Sequence, residues 1–555
     1  DDWEVHGFLR EEYFNQYAQY HSESTNGGLI VPNQFFIKNS KQQANFNSYK
    51  FNTKRIVSTI FMLGTSWKNQ FFLDVTGRND WSSSLVYSYG TGNFSYFYPS
   101  VSGSWIITET FKDQLPKWIS FAKVRGSWAQ VGNDTSPYYI NSGYAVATYQ
   151  RGDKKIYGMT IPENMKSTDL KPERKNAWEV GLDWRFIDNR IGLDFTYYKE
   201  NTKNQIMTIN VPWESGVKEK LINAGNIQNS GIEIALNTTP IKNKDWQWDL
   251  NLTYTSNRNK IVELSPDVTS YINLDGAANY GNYRIASVAK VGADYGMLMS
   301  DSWIKTDEKT GKPVVGYTGN FRTIYYKRGG TVKEVGSMLP DFLGTLNTTL
   351  RWKNLSLYVL LDARFGGYVA SYNSRYATAY GFSGETEKYR KGMTWTSQYA
   401  NSKDKVFTDG FIPDVVFDQG TTITTPAGTN EDVSGMTYQE AYEKGFVEPA
   451  HLQSAAYFKN SWSKGVINDD WFKKLNYIAL REVTLSYNVP TNICSYIGAK
   501  SLSVNLTGRN LAYLLNTAPN HENPESVRGT GAAQFRMRSF MPYTASYLFT
   551  LNATF

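Results

Sequence analysis

Apolar and polar residues alternate along much of this chain. In "WQWDLNLTYTSN" the residues Trp246, Trp248, Leu250, Leu252 and Tyr254 interleave with Gln247, Asp249, Asn251, Thr253 and Thr255. A two-residue period puts one set on each face of an extended strand. The same period runs through "FFLDVTGRND" from Phe71, "AWEVGLDWRF" from Ala177, "IGLDFTYYKE" from Ile191, "LSLYVLLDAR" from Leu355, "REVTLSYNV" from Arg481 and "LSVNLTGRN" from Leu502. It also closes the chain: in "SYLFTLNATF", Tyr547, Phe549, Leu551, Ala553 and Phe555 oppose Ser546, Thr550, Asn552 and Thr554, with Leu548 the exception. The helical period is largely missing, and only "MTYQEAYEKGF" (436–446) predicts a short helix.

The connections between these segments differ in length in an ordered way. Short polar turns are expected at 67–69, 186–190, 241–245 and 352–354, most with aromatic residues beside them. Long connections are expected at about 134–174, 258–339, 365–474 and 511–543. About fourteen strands follow, beginning near residues 3, 46, 69, 94, 119, 175, 190, 225, 246, 340, 354, 475, 500 and 545. Short turns on one rim and long loops on the other are the layout of a transmembrane antiparallel β-barrel, an all-β fold of the bacterial outer membrane. A soluble sandwich or propeller would also alternate, but such long loops confined to one side are rare in compact soluble folds.

Composition narrows the picture further. No apolar run approaches the length of a membrane helix, whereas a barrel strand needs only every second residue apolar. Aromatic residues reach 15% of the chain, which suits strands and membrane interfaces. The single cysteine, Cys494, permits no internal disulfide and is expected to be a buried thiol. A net charge of +7 on 555 residues, with no basic run interleaved with aromatics, gives no sign of a nucleic-acid partner. The opening "DDWEVHGFLREEYF" is charged and alternating and does not read as a signal peptide, so a mature chain or a C-terminal piece is expected.

Several blocks, in order, carry a family resemblance. They are "TGRNDWSSSL" (76–85), "FYPSVSGSWIITETF" (97–111), "KVRGSWAQVGN" (123–133), "LKPERKNAWEVGLDW" (170–184), "NAGNIQNSGIEIAL" (223–236), "LPDFLGTLNTTLRWKNLSL" (339–357), "LREVTLSYNVP" (480–490) and "LTGRNLAYL" (506–514). Together they resemble the barrel of the SusC/RagA family of TonB-dependent outer-membrane transporters. The resemblance implies a 22-stranded barrel, so that residues 1–555 would be its C-terminal part, with the plug domain, the TonB-binding segment and the first strands upstream. It implies active import of oligosaccharides or peptides with a SusD-like surface lipoprotein, energised by the TonB-ExbB-ExbD complex. A dimer of transporter-lipoprotein pairs is implied as well. A siderophore-type TonB-dependent receptor or a passive porin would share the barrel, and an outer-membrane barrel hydrolase is a further rival.

Candidate chemistry is sparse. His6, His21, His451 and His521 are scattered without metal-ligand spacing, and "RGTGAAQ" (528–534) has no strand-to-helix context for a phosphate cradle. Asp80 lies near Ser82, Ser83 and Ser84, but no histidine is close in sequence to complete a nucleophilic triad. The expectation is therefore no catalytic, metal or cofactor-binding residue and no covalent chemistry. In the aromatic loops "WSSSLVYSYGTGNFSYFY" (81–98) and "YVASYNSRYATAYGF" (368–382), Trp81 and Tyr89 are the candidates for lining a solute cavity. The ordinary reading of such aromatics is an interfacial girdle. The terminal Phe555 is the candidate signal for outer-membrane assembly, with lipid-facing packing as its alternative.

Overall fold

The computed structural model describes residues 2–555 apart from 91, 212, 224, 266–267, 269, 275–284, 320–322, 390–391, 461–466, 529–530, 532–534 and 539–541. Among the described residues, fourteen long strands form one path of hydrogen-bonded neighbours in chain order. They are β1 (Trp3–Leu29), β2 (Ser40–Trp67), β3 (Phe71–Ser82), β4 (Ser95–Ile106), β5 (Ile119–Asn133), β6 (Glu173–Phe186) and β7 (Ile191–Lys203). The path continues with β8 (Asn226–Lys242), β9 (Trp246–Glu263), β10 (Phe342–Trp352), β11 (Leu355–Ser371), β12 (Phe472–Asn488), β13 (Ser501–Asn516) and β14 (Ser546–Thr554). These starts lie close to those expected from the sequence. Several strands run further than expected, β9 to Glu263, β11 to Ser371 and β13 to Asn516, so the long connections are correspondingly shorter. The expected short helix is present as Tyr438–Glu443, started by a capping box between Thr437 and Glu440.

The chain divides into two compact units, residues 1–189, 194–230 and 261–269 in the first and residues 190–193, 231–260 and 270–555 in the second. In the second unit the register is uniform by row. Leu350 pairs with Leu357, Leu357 with Leu485, Leu485 with Leu506 and Leu506 with Phe549. All five are exposed, Phe549 by 68%. One residue along, Arg351, Ser356, Ser486, Asn505 and Thr550 pair in the same sequence of strands. One face of this sheet is thus apolar and uncovered, and the other is polar.

The polar face bonds to itself across strands. Asn251 donates to Asn347 at 2.7 Å, Thr253 and Thr345 share a bond of 2.6 Å, and Thr484 and Thr507 share one of 2.9 Å. Each exposed Leu or Phe on the opposite face would leave about 1.5–3 kcal/mol of burial unrealised in water. A continuous apolar row of this kind belongs against lipid.

The first unit repeats the division of faces. On one face Phe71 stacks on Trp105 with ring centres 5.7 Å apart, and Phe61 stacks on Phe97 at 6.5 Å. The second stack requires Gly77, where a Cβ would lie 2.3 Å from the Phe61 ring. Trp3, Trp67, Phe71 and Trp105 are cross-strand partners at the short-turn ends of β1 to β4, forming an interfacial aromatic row. The turns themselves use left-handed residues, Lys68, Asn69, Ile187, Asp188, Asn189 and Lys353 all having positive φ.

The long connections have cores of their own. In the second unit Val315, Ile324, Phe417, Tyr438 and Ala441 are buried together, and Ile285, Leu298, Trp471 and Phe535 form another cluster. Burial pushes the Tyr317 and Tyr438 hydroxyls well above the usual phenol range. In the first unit Tyr87, Ile140, Leu170 and Leu221 pack together.

Candidate functional site

A dense polar constellation lies on the polar face of β1 to β5, toward their long-connection ends. The period-two pattern puts Glu12 and Gln16 of β1, Lys54 and Ser58 of β2, and Arg78, Asp80 and Ser82 of β3 on this one side. Arg78 is its hub. Its Nε donates to Asp80 Oδ1 at 2.7 Å, its Nη1 to Glu12 Oε2 at 3.0 Å, and its Nη2 to the Ser58 hydroxyl at 2.8 Å. Tyr98 donates to the other Asp80 oxygen. Asp80, Ser58 and Ser82 are buried, so charges and hydroxyls taken from water are paired, as such burial requires.

A third carboxylate lies beside this network. Asp134, just beyond β5, accepts from Lys54 Nζ with one oxygen and from the Ser82 hydroxyl with the other. Beside this pair opens a cavity of about 410 Å³ lined by Gln16, Lys54, Asn133, Asp134, Tyr139 and Glu173 among others. Glu173 accepts from the Asn133 amide at 3.0 Å and from the Ile206 backbone N–H at 2.8 Å. A cavity with carboxylates, amides, one ammonium and the Tyr139 side chain offers both donors and acceptors to a polar solute. Further along the same face a recess of about 300 Å³ is lined by Asp74, Ser102, Lys123, Arg125, Ser127 and Glu179.

The sequence-derived candidates fall in different places. Trp81 shares the alternation of Phe71, Leu73 and Val75, so it sits on the apolar face, opposite in sense to Asp80 and Ser82. Its side chain therefore leaves the sheet on the face opposite to the cavity lined by Gln16 and Lys54, because period-two geometry sends neighbouring side chains to opposite faces. Tyr89 is exposed in the β3–β4 connection, stacked on Tyr87 at 5.1 Å, and its hydroxyl donates to Thr168 O at 3.4 Å. Burial raises the Tyr87 hydroxyl above the ordinary phenol range, although the Leu170 backbone N–H donates to it. Phe555 is exposed, and its carbonyl accepts from Lys500 Nζ at 3.0 Å. Sequence reasoning missed Lys54, Asp134, Glu12 and Tyr98. Only Asp80 and the serines beside it carried a local signal.

Asp80 is committed to Arg78 and Tyr98, and Ser82 to Asp134. His6 and His21 lie on β1, His451 pairs with Asp409 at 2.9 Å, and His521 lies in the β13–β14 connection. Among the described residues no group of three His, Cys, Asp or Glu side chains could hold a metal ion. Cys494 is fully buried, and "RGTGAAQ" lies mostly outside the described residues.

An antiparallel sheet with an uncovered apolar face, a self-bonded polar face and alternating short and long connections defines the wall of an outer-membrane β-barrel. Residues 2–368 match the family described as TonB dependent receptor-like, beta-barrel, and the chain belongs to that family. It is 25% identical over 487 residues to TonB-dependent receptor P26 of Formosa agariphila, covering 86% of this chain and 43% of that protein. It is 27% identical over 335 residues to the TonB-dependent receptor SusC of Bacteroides thetaiotaomicron, covering 57% of this chain and 31% of SusC. The chain thus spans less than half the length of these curated relatives. Its fold is similar to that in a structure of the RagAB peptide transporter, with a TM-score of 0.67 and 15% identity over 99% of this chain and 53% of that one.

Proposed function

We propose that this chain supplies the wall and long-loop face of a TonB-dependent importer that carries oligosaccharides or peptides across the outer membrane. A SusD-like lipoprotein acts as its surface lid, and the TonB complex couples import to the inner-membrane proton gradient. The observation that carries this reading is the polar face of β1 to β5, which holds the Arg78 network and on which the Lys54–Asp134 pair borders a cavity rich in donors and acceptors. Such a surface exchanges hydrogen bonds with hydroxyls or peptide groups without covalent chemistry. Similarity to SusC supports the reading, and so does likeness of fold to RagAB.

The test is growth of a strain lacking the gene on a panel of oligosaccharides and of peptides as sole carbon source. The expected result is loss of growth on at least one cargo class, restored by the gene and abolished again when TonB is removed. Unchanged growth on the whole panel contradicts the proposal, and growth that survives loss of TonB points to a passive pore.

A further inference from the structure

We infer that the connection 489–500, between β12 and β13, is a foot that docks on phospholipid at the short-turn rim. The short turns of the second unit, 243–245 and 353–354, are polar. The connection 489–500 instead contains a helical turn, Thr491–Cys494, continued by the 3-10 turn Ser495–Ile497 and ended by Gly498 at φ +71°. Its inward side is closed: Cys494 and Ala499 are buried, the Cys494 thiol donates to Val489 O at 3.4 Å, and Ala499 N donates to Cys494 O at 3.1 Å.

Its outward side has the wrong polarity for water. Ile493, Tyr496 and Ile497 are 50%, 89% and 56% exposed. Their spacing of three and four residues places them on one helical stripe. A water-facing turn carries polar residues on that stripe, whereas an interfacial element carries aliphatic residues and an aromatic with a polar tip.

Two further observations select lipid as the occupant. The foot follows β12 directly, and Leu485 and Tyr487 at the end of that strand lie on the uncovered apolar face already described. The stripe thus continues an apolar surface. The connection "VPTNICSYIGAK" also has Lys500 as its only charged residue. A cationic apolar element suits an anionic phospholipid surface.

The test uses the full-length protein in vesicles of phosphatidylethanolamine and phosphatidylglycerol, with an NBD fluorophore on Tyr496→Cys. The native Cys494 is fully buried and adds no accessible thiol. Ile497→Cys is a second probe should Tyr496→Cys fold poorly, and Lys244→Cys, in a polar turn, is the aqueous control. The expected result is blue-shifted emission at 496 and 497 relative to 244, quenching by headgroup-level spin-labelled lipid, and protection from iodide. Iodide quenching equal to that of the control overturns the inference. Protection from both quenchers also overturns it, because a protein surface would then cover the stripe.

Discussion

At the scale of single residues, alternation decides the roles of Asp80 and Trp81, which are adjacent in sequence and opposite in face. Asp80→Ala leaves the Arg78 guanidinium and the Tyr98 hydroxyl without their shared acceptor. The expected cost is about 1–3 kcal/mol, that of leaving buried hydrogen-bonding groups unsatisfied, because Glu12 and Ser58 still hold Arg78. Equilibrium unfolding of the full-length protein in vesicles measures it, and a loss under about 1 kcal/mol would assign the pair to the solvated class. Trp81→Ala is expected to reduce the amount of inserted protein while leaving the cargo concentration for half-maximal uptake unchanged. An increase in that concentration would return Trp81 to the solute path. The network itself could not be read from the sequence, because Lys54 and Asp134 are 80 positions apart and meet only through strand pairing. The local run of Asp80 with its serines was visible as a polar cluster, but its partner Arg78 was not marked by any spacing rule.

At the scale of elements, many of the strands were legible because a two-residue period runs through them, as in Trp246–Tyr254, and because short turns rich in Asn, Asp and Lys close the hairpins. Strand ends were less legible: beyond the lipid-facing stretch β9, β11 and β13 continue pairing without clean alternation. The small sheets in the long connections were not legible at all. Strands such as Val314–Thr318 are buried along most of their length, so no two-residue period marks them.

One of these connections carries a pH dependence. Arg481 of β12 donates to both oxygens of Glu525 in the β13–β14 connection, at 2.9 and 2.6 Å, and holds that carboxyl below the ordinary range. Burial pushes the nearby Glu522 carboxyl up, against a bond from the Ser371 hydroxyl at 2.7 Å. The depressed Glu525 contributes stability above the unfolded glutamate value of about 4.3, lost as pH falls through its lower folded value. The raised Glu522 works in the opposite sense: its penalty is absent below about 4.3 and grows as pH rises through its folded value. Hydrogen exchange over 517–528 should therefore quicken at neutral pH in Glu525→Gln and slow in Glu522→Gln. Below the ordinary carboxylate range the Glu525→Gln effect should vanish. Identical exchange in all three proteins at neutral pH would refute this assignment.

At the scale of the whole molecule, apolar and polar rows in adjacent register explain why a chain without any long apolar run belongs to a membrane family. The unequal lengths of the connections predict a sidedness, long connections outside and short turns facing the periplasm, on which the import reading depends. Cysteine labelling in intact cells tests it most directly, using Lys309→Cys in a long connection and Lys244→Cys in a short turn, with the buried Cys494 silent. A membrane-impermeant maleimide should label position 309 in intact cells, and position 244 only after the outer membrane is permeabilised. Labelling of 244 in intact cells, or protection of 309 until permeabilisation, would contradict the account.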